Sequence, residues 1–146
     1  MDAKNYLESL RLFDTCIEQR IKQLDDLEQR RSFLSANGCS CGVLERGCDV
    51  IADLRTEISE DILQFEMQRN DIINKIQSLN DHKLVRVLFK RYVEYKPFEQ
   101  IAAELGYARS HTLLLHRNAL AALESALRQD QRNKFAAKEL SQRSTL

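Results

Sequence analysis

The sequence predicts an all-α protein, with a long N-terminal antiparallel helical hairpin followed by a C-terminal helix-turn-helix module. The 146 residues include only four Gly and one Pro, and many short strands would need more turn-forming residues than that. Hydrophobic residues make up 43% and charged residues 30% of the chain, which is typical of a folded protein rather than a disordered one. Apolar residues also recur every three or four positions, which is the helical period.

The first helix is predicted over residues 3–35. Its apolar stripe has a spacing close to that of a heptad seam and comprises Tyr6, Leu10, Phe13, Ile17, Leu24, Leu27 and Leu34. Arg20 and Arg31 fall on the same stripe. Because arginine keeps its charge, we do not expect the seam to be dry along its whole length.

Residues 36–47 hold three of the four glycines and form the predicted loop. A second apolar stripe predicts a helix over residues 49–79 and comprises Ile51, Leu54, Ile58, Ile62, Phe65, Ile72, Ile76 and Leu79. Two helices of about 45 Å each would then form a hairpin domain over residues 1–79. A two-helix hairpin buries little surface, so we expect a third partner, either the C-terminal module or a second copy in a homodimer.

Residues 80–140 show the spacing of a helix-turn-helix module, and residues 141–146 form a polar, frayed tail. Asn80 and Asp81 are candidate caps for a helix with apolar positions at Leu84, Val87, Leu88, Tyr92 and Val93. Pro97 opens a short helix that ends before Gly106, where a left-handed turn redirects the chain. The next helix starts near Arg109 and directs inward Thr112, Leu115, Ala119, Leu120 and Leu123.

The C-terminal residues resemble a known family. Arg91-Tyr92, the run from Phe98 to Tyr107 and the run from His116 to Leu120 are similar to region 4 of bacterial sigma factors, and most similar to phage transcriptional regulators of the RinA/ArpU type. The resemblance covers about a third of the chain. It implies control of phage transcription through duplex promoter DNA, with RNA polymerase as a possible further partner.

The resemblance also implies which residues contact DNA. On the recognition helix these are Arg109, Ser110, Leu113, Leu114 and Arg117, and on the preceding basic face they are Lys83, Arg86, Lys90 and Arg91. The chain departs from the sigma-like pattern at Ala108, Leu113 and Leu114, where capping and base-reading polar residues are usual. Leucine offers a base only apolar contact with a thymine methyl, so phosphate contacts would set affinity more than sequence preference.

Charge is unevenly distributed along the chain. Residues 1–80 carry a net charge of −5 and residues 81–146 a net charge of +5. A basic half with a DNA-binding pattern is the expected footprint of phosphate contact. Taken by itself, the charge is more simply interpreted as ordinary protein surface.

A second functional hypothesis belongs to another class of protein. An exposed Leu113–Leu114 pair with flanking arginines could form an apolar patch that binds RNA polymerase or another regulator. On this hypothesis the chain is a protein-interaction module that keeps the helix-turn-helix scaffold.

Metal binding and catalysis are weakly indicated. Cys39, Cys41 and Cys48 could supply three zinc ligands, but structural zinc prefers four, so free thiols are the simpler interpretation and no cofactor is expected. His111 and His116 are five residues apart and are interpreted as helix-surface residues facing DNA or a partner. We find no nucleophile–base or phosphate-loop pattern, so we do not expect an enzyme, and without a signal peptide or membrane span we expect a cytoplasmic protein.

Overall fold

The computed structural model describes residues 2–37 and 41–144, and the side chains of residues 41–45 lie outside that description. The helices are α1 (Ala3–Ala36), α2 (Cys41–Gln77), α3 (His82–Leu88), α4 (Phe98–Leu105) and α5 (Arg109–Arg143). A π-helical turn, Phe89–Val93, continues α3. The described ranges contain no strand, and α1 and α2 pack as a hairpin. The predicted all-α architecture is therefore confirmed.

The loop between α1 and α2 is shorter than predicted. Helix α2 begins at Cys41 rather than near residue 49, so Gly47 is helical. A Cβ atom at Gly47 would meet Leu34 Cδ1 at 3.8 Å, an ordinary packing distance. Glycine lowers helix propensity by only about 1 kcal/mol, which the adjoining apolar stripe can offset, and the glycine-based prediction of a loop was wrong here.

Helix α5 extends further than predicted. Helix α5 continues to Arg143, where Ser144 follows as its C-cap residue. The polar composition of residues 141–143 predicts fraying, but polar residues can extend an existing helix because its nucleus is already formed.

The chain divides into two compact units, which do not follow the boundary expected near residue 79. The hairpin unit comprises Leu12–Asn70, and the core unit comprises Met1–Arg11 with Asp71–Leu146. The start of α1 and the end of α2 thus belong with the helix-turn-helix. Their apolar residues are the reason, since Leu7, Leu10 and Ile76 are almost completely buried.

Ion pairs between the two antiparallel helices line the hairpin unit. The pairs join Asp14 to Arg69 at 2.6 Å, Arg20 to Asp61 at 3.2 Å, and Glu28 to Arg55 at 2.5 Å. Arg20 occupies a seam position, and the carboxylate of Asp61 compensates its charge there. The seam therefore contains an ion pair at this position, as expected for a seam that is not dry along its whole length. Between the ion pairs, the rings of Phe13 and Phe65 pack with their centroids 6.1 Å apart.

Helices α3 and α4 both pack on α5 in the core unit. The buried apolar side chains there include Val87, Leu88, Ile101, Ala102, Leu115, Ala119 and Leu123, as the sequence predicted. Asp81 caps α3 by accepting a hydrogen bond from the backbone N–H of Lys83 at 3.0 Å. In the described part of the chain, none of the helices has an apolar run that could traverse a lipid bilayer.

Candidate nucleic-acid interface

The turn between α4 and α5 holds the second helix apart from the first. Gly106 ends α4 in the left-handed conformation, with φ 71° and ψ 30°. The backbone N–H of Tyr107 then donates to the carbonyl of Ala102 at 3.0 Å. Helix α5 starts two residues later, so the chain does not run as one helix through the glycine. This is the predicted helix-turn-helix geometry.

The N-terminus of α5 lacks a side-chain cap. Ala108 occupies the N-cap position in an extended conformation, and alanine has no oxygen to accept from the first backbone amides. Thr112 instead turns inward, where its Oγ1 donates to the carbonyl of Ala108 at 3.1 Å. The first amides of α5 therefore favour an external acceptor with negative charge.

One side of α5 is exposed and the other is buried. The residues predicted to contact DNA lie at helical spacing on the exposed side: Arg109, Ser110, Leu113, Leu114 and Arg117. Thr112 and Leu115 face the core. Leu113 is 40% exposed and Leu114 is 49% exposed, so this part of α5 combines two arginines with an uncovered leucine pair.

Arg109 already has an acidic neighbour. Its Nη2 atom lies 3.8 Å from Oε1 of Glu99, in the first turn of α4, and both side chains are strongly exposed. An exposed pair at this distance is weak. Arg109 can therefore exchange Glu99 for a phosphate oxygen at little cost.

The four residues of the predicted basic face fall into two groups, one exposed and one in contact with α4 and the segment before it. Lys83 and Arg86 on α3 are exposed. Lys90 instead lies 2.8 Å from Glu104 Oε2, and Arg91 donates to the carbonyl of Lys96 at 3.1 Å while its guanidinium lies 4.3 Å from the Phe98 ring centroid. Lys90 and Arg91 therefore contribute to holding α4 against the π-helical turn.

Glu104 is the centre of a small ion-pair network. Its carboxylate accepts hydrogen bonds from Lys90 at 2.8 Å and from Lys96 at 2.9 Å. The ammonium groups of Lys90 and Lys96, in that order, lower the pKa of Glu104 to about 2. Glu104 consequently stays charged throughout the pH range in which the protein would be studied.

His116 is half-buried and packs against neighbouring rings, so it does not have the outward-facing helix-surface position that was predicted. Its Nε2 lies 2.8 Å from Tyr92 Oη, and the Phe98 ring packs edge-on with centroids 4.9 Å apart. Burial lowers the pKa of His116, and the charges of Arg91 and Lys4 lower it further. The sequence indicates this inward position, because His116 is four residues after the buried Thr112 and three residues before the buried Ala119 on the same helix.

His111 is exposed, as predicted, and packs edge-on against Tyr107 with ring centroids 4.9 Å apart. The proposed zinc ligand Cys39 and the side chain of Cys41 lie outside the described residues. Cys48, like Cys16, is a half-buried free thiol. Among the side chains that the structure describes, no group of three or more His, Cys, Asp or Glu is placed to hold a metal ion.

This chain was compared with models of known protein families, with curated proteins and with solved structures, and none of them matches it. Fold and site together define an all-α protein with a C-terminal helix-turn-helix whose second helix has an exposed, partly basic side.

Proposed function

We propose that this chain is a phage-type transcriptional regulator that binds duplex promoter DNA through α4 and α5. The observation that carries the proposal is the exposed side of α5, which begins directly after the left-handed turn at Gly106. A helix held in this way is the element that helix-turn-helix proteins insert into the major groove. The resemblance to RinA/ArpU-type regulators and to sigma region 4 supports the same conclusion, as does the net charge of +5 over residues 81–146.

Phosphate contacts would supply most of the affinity. Arg109 and Arg117 on α5, with Lys83 and Arg86 on α3, are exposed cations on the core unit. The uncapped amides at the start of α5 add donors for a phosphate oxygen. Leu113 and Leu114 would contact thymine methyl groups, so direct discrimination between base pairs should be modest. As a regulator of transcription, the protein would act in the cytoplasm.

The test is a fluorescence anisotropy titration on duplex DNA from upstream of its own locus, repeated across a series of salt concentrations. The double variant Arg109→Ala/Arg117→Ala should bind more weakly, and its log–log salt slope should be shallower by about 2, since each lost phosphate contact removes about 0.9. The control variant Lys22→Ala/Arg30→Ala removes the same charge from exposed positions of the hairpin unit and should keep the slope. Absence of duplex binding at low salt, or an equal loss in both variants, would contradict the proposal.

The exposed leucine pair favours a second candidate function, which is binding of RNA polymerase or another regulator. Leu113 and Leu114, at 40% and 49% exposure, are large apolar side chains bordered by Arg109 and Arg117, an arrangement typical of a protein-binding patch. In this candidate function the scaffold presents a protein surface, and DNA contact is secondary.

The variant Leu113→Ser/Leu114→Ser separates the two candidates because it changes no charge. If the pair binds protein, this variant loses capture of purified RNA polymerase and keeps its DNA affinity and salt slope. The control Ser110→Ala alters a neighbouring exposed position and should leave capture intact. Loss of DNA binding with unchanged capture would eliminate the protein-binding candidate.

A further inference from the structure

An exposed stripe on α2 combines apolar and acidic side chains. Glu60, Leu63 and Met67 are spaced by three and four residues, so they lie on one side of the helix. Leu63 is 60% exposed and Met67 is 61% exposed. Residues 57–67 also contain four acidic side chains and no basic one, and one of the four, Asp61, is already paired with Arg20. We call Glu60, Leu63 and Met67 the acidic stripe.

The last part of α5 has a stripe of the same spacing and the opposite charge. Arg128, Arg132, Phe135 and Glu139 follow one another by four, three and four residues and line a shallow groove together with Gln131 and Ala136. Phe135 is 70% exposed. Residues 128–143 contain five basic side chains and two acidic ones, and one of the two, Asp130, is already paired with Lys75. We call residues 128–143 the basic arm.

Within residues 2–37 and 41–144, no other part of the chain covers either surface. Every residue from Gln131 to Ser144 is exposed, so this part of α5 has almost no tertiary packing. A helical segment of about 13 residues is marginal in water without packing, and an exposed Phe adds an apolar group with no partner. Leu63 and Met67 have the same unmet apolar surface on α2.

We propose that the basic arm of one copy of this chain packs against the acidic stripe of a second copy. In a parallel register Arg132 lies opposite Glu60, and Phe135 lies opposite Leu63. This register places one ion pair beside one apolar contact, as in the seam and flanks of a coiled coil. Ala136 is small enough to let the two helices approach closely.

The charges favour this pairing over pairing of like surfaces. Two basic arms, or two acidic stripes, would bring like charges together, which is unfavourable. Because each chain carries one arm and one stripe, a pair of copies has the surfaces for the two equal contacts that a symmetric dimer requires. The inference does not depend on DNA binding, so its failure and the failure of the proposed function are distinguishable.

The test measures the association of the full chain without DNA by analytical ultracentrifugation. Wild-type protein should be a dimer. The arm variant Arg132→Glu/Phe135→Ser and the stripe variant Glu60→Arg/Leu63→Ser should each raise the dissociation constant at least about tenfold, as expected on removing an aromatic anchor or its partner. The control Lys134→Glu/Ala137→Ser changes the same arm away from the seam and should remain dimeric.

The decisive sample is an equimolar mixture of the arm variant and the stripe variant. In the mixed pair, the unchanged arm of the stripe variant meets the unchanged stripe of the arm variant, so one contact is intact. In the other contact both charges are exchanged, so opposite charges still face each other. Association should therefore return. Circular dichroism checks that each variant keeps the helical content of the wild type.

Three results would overturn the inference: a monomeric wild type at every concentration measured, an arm variant that associates like the wild type, or a mixture that fails to associate. If the wild type is monomeric and Arg128→Gln/Arg132→Gln weakens DNA binding, the basic arm is a DNA contact instead.

Discussion

His116 connects α5 to the rest of the core unit. It bonds to Tyr92 on the π-helical turn and packs on Phe98 at the start of α4. The cationic groups that act on it, Arg91 and Lys4, oppose its protonation. The folded arrangement therefore favours the neutral imidazole over the charged form.

This cluster predicts a loss of stability in mild acid. Burial lowers the pKa of His116 below its ordinary 6.5 in the folded state. The contribution of the neutral imidazole to the free energy of unfolding is therefore fully present above pH 6.5. It is lost as the pH falls below 6.5 and through the folded-state pKa. The Tm should fall between about pH 7 and pH 5, and His116→Gln should reduce the size of that fall. His111→Gln, on the exposed side of the same helix, should retain the wild-type response. An unchanged fall in His116→Gln would show that other groups cause it.

Glu99 is predicted to weaken DNA binding because it competes with phosphate for Arg109. Their atoms lie 3.8 Å apart at the surface, and exposed pairs contribute less than about 1 kcal/mol. Glu99→Gln should therefore raise duplex affinity by less than about tenfold. In an Arg109→Ala background the same substitution should have a smaller effect. A fall in affinity would instead indicate that the Glu99 carboxylate accepts a hydrogen bond from a base.

Gly106 ends α4 and Gly47 lies within α2, and the two glycines have different roles. Gly106 adopts φ 71°, and a Cβ built there would have nothing within 4 Å. Its importance is therefore conformational, since other residues adopt this backbone region at a cost. Gly47 lies within α2, where an added methyl group would make an ordinary contact with Leu34.

These two glycines make opposite predictions for alanine substitution. Gly106→Ala should lower the free energy of unfolding by about 1 kcal/mol, through the left-handed backbone alone. Gly47→Ala should raise it by about 0.5–1 kcal/mol, because alanine favours the helix interior. Urea denaturation followed by circular dichroism measures both changes. Equal effects of the same sign would contradict the conformational difference between the two sites.

Most of the buried apolar side chains that the structure describes lie in the core unit. Among the described side chains of the hairpin unit, only Ile17 and Ile58 are buried apolar residues, whereas the core unit buries apolar side chains from α1 to α5. Regions with few buried apolar contacts open locally at a lower free-energy cost. The hairpin unit should therefore be the less protected of the two.

Hydrogen–deuterium exchange followed by mass spectrometry tests this difference. Peptides from Leu12–Asn70 should exchange faster than peptides from α3, α4 and the first half of α5. If the acidic stripe is covered by a second copy, protection of residues 57–67 should rise with protein concentration, while the peptides around Gly106 should not change. Equal protection in both units would contradict the uneven distribution of buried surface.

The sequence by itself determined the helical elements and their main breaks. The apolar period, the Asp81 cap and the glycine at the turn act within a few residues of chain, so their effects are visible in the sequence. For the same reason four of the five predicted inward positions of α5 are buried, namely Thr112, Leu115, Ala119 and Leu123, while Leu120 is half-buried. The loop prediction failed at Gly47 because packing along the helix outweighs the weak local preference of one glycine.

Only the tertiary structure decided which side chains meet across the chain. Lys90 pairs with Glu104 and Arg91 packs on the Phe98 ring, although the sequence predicted both as cations that contact DNA. The tertiary structure also directed His116 towards Tyr92 and placed the unit boundaries at Arg11 and Asp71. These outcomes depend on contacts between residues far apart in sequence, where burial and charge pairing act on neighbours that local spacing does not specify.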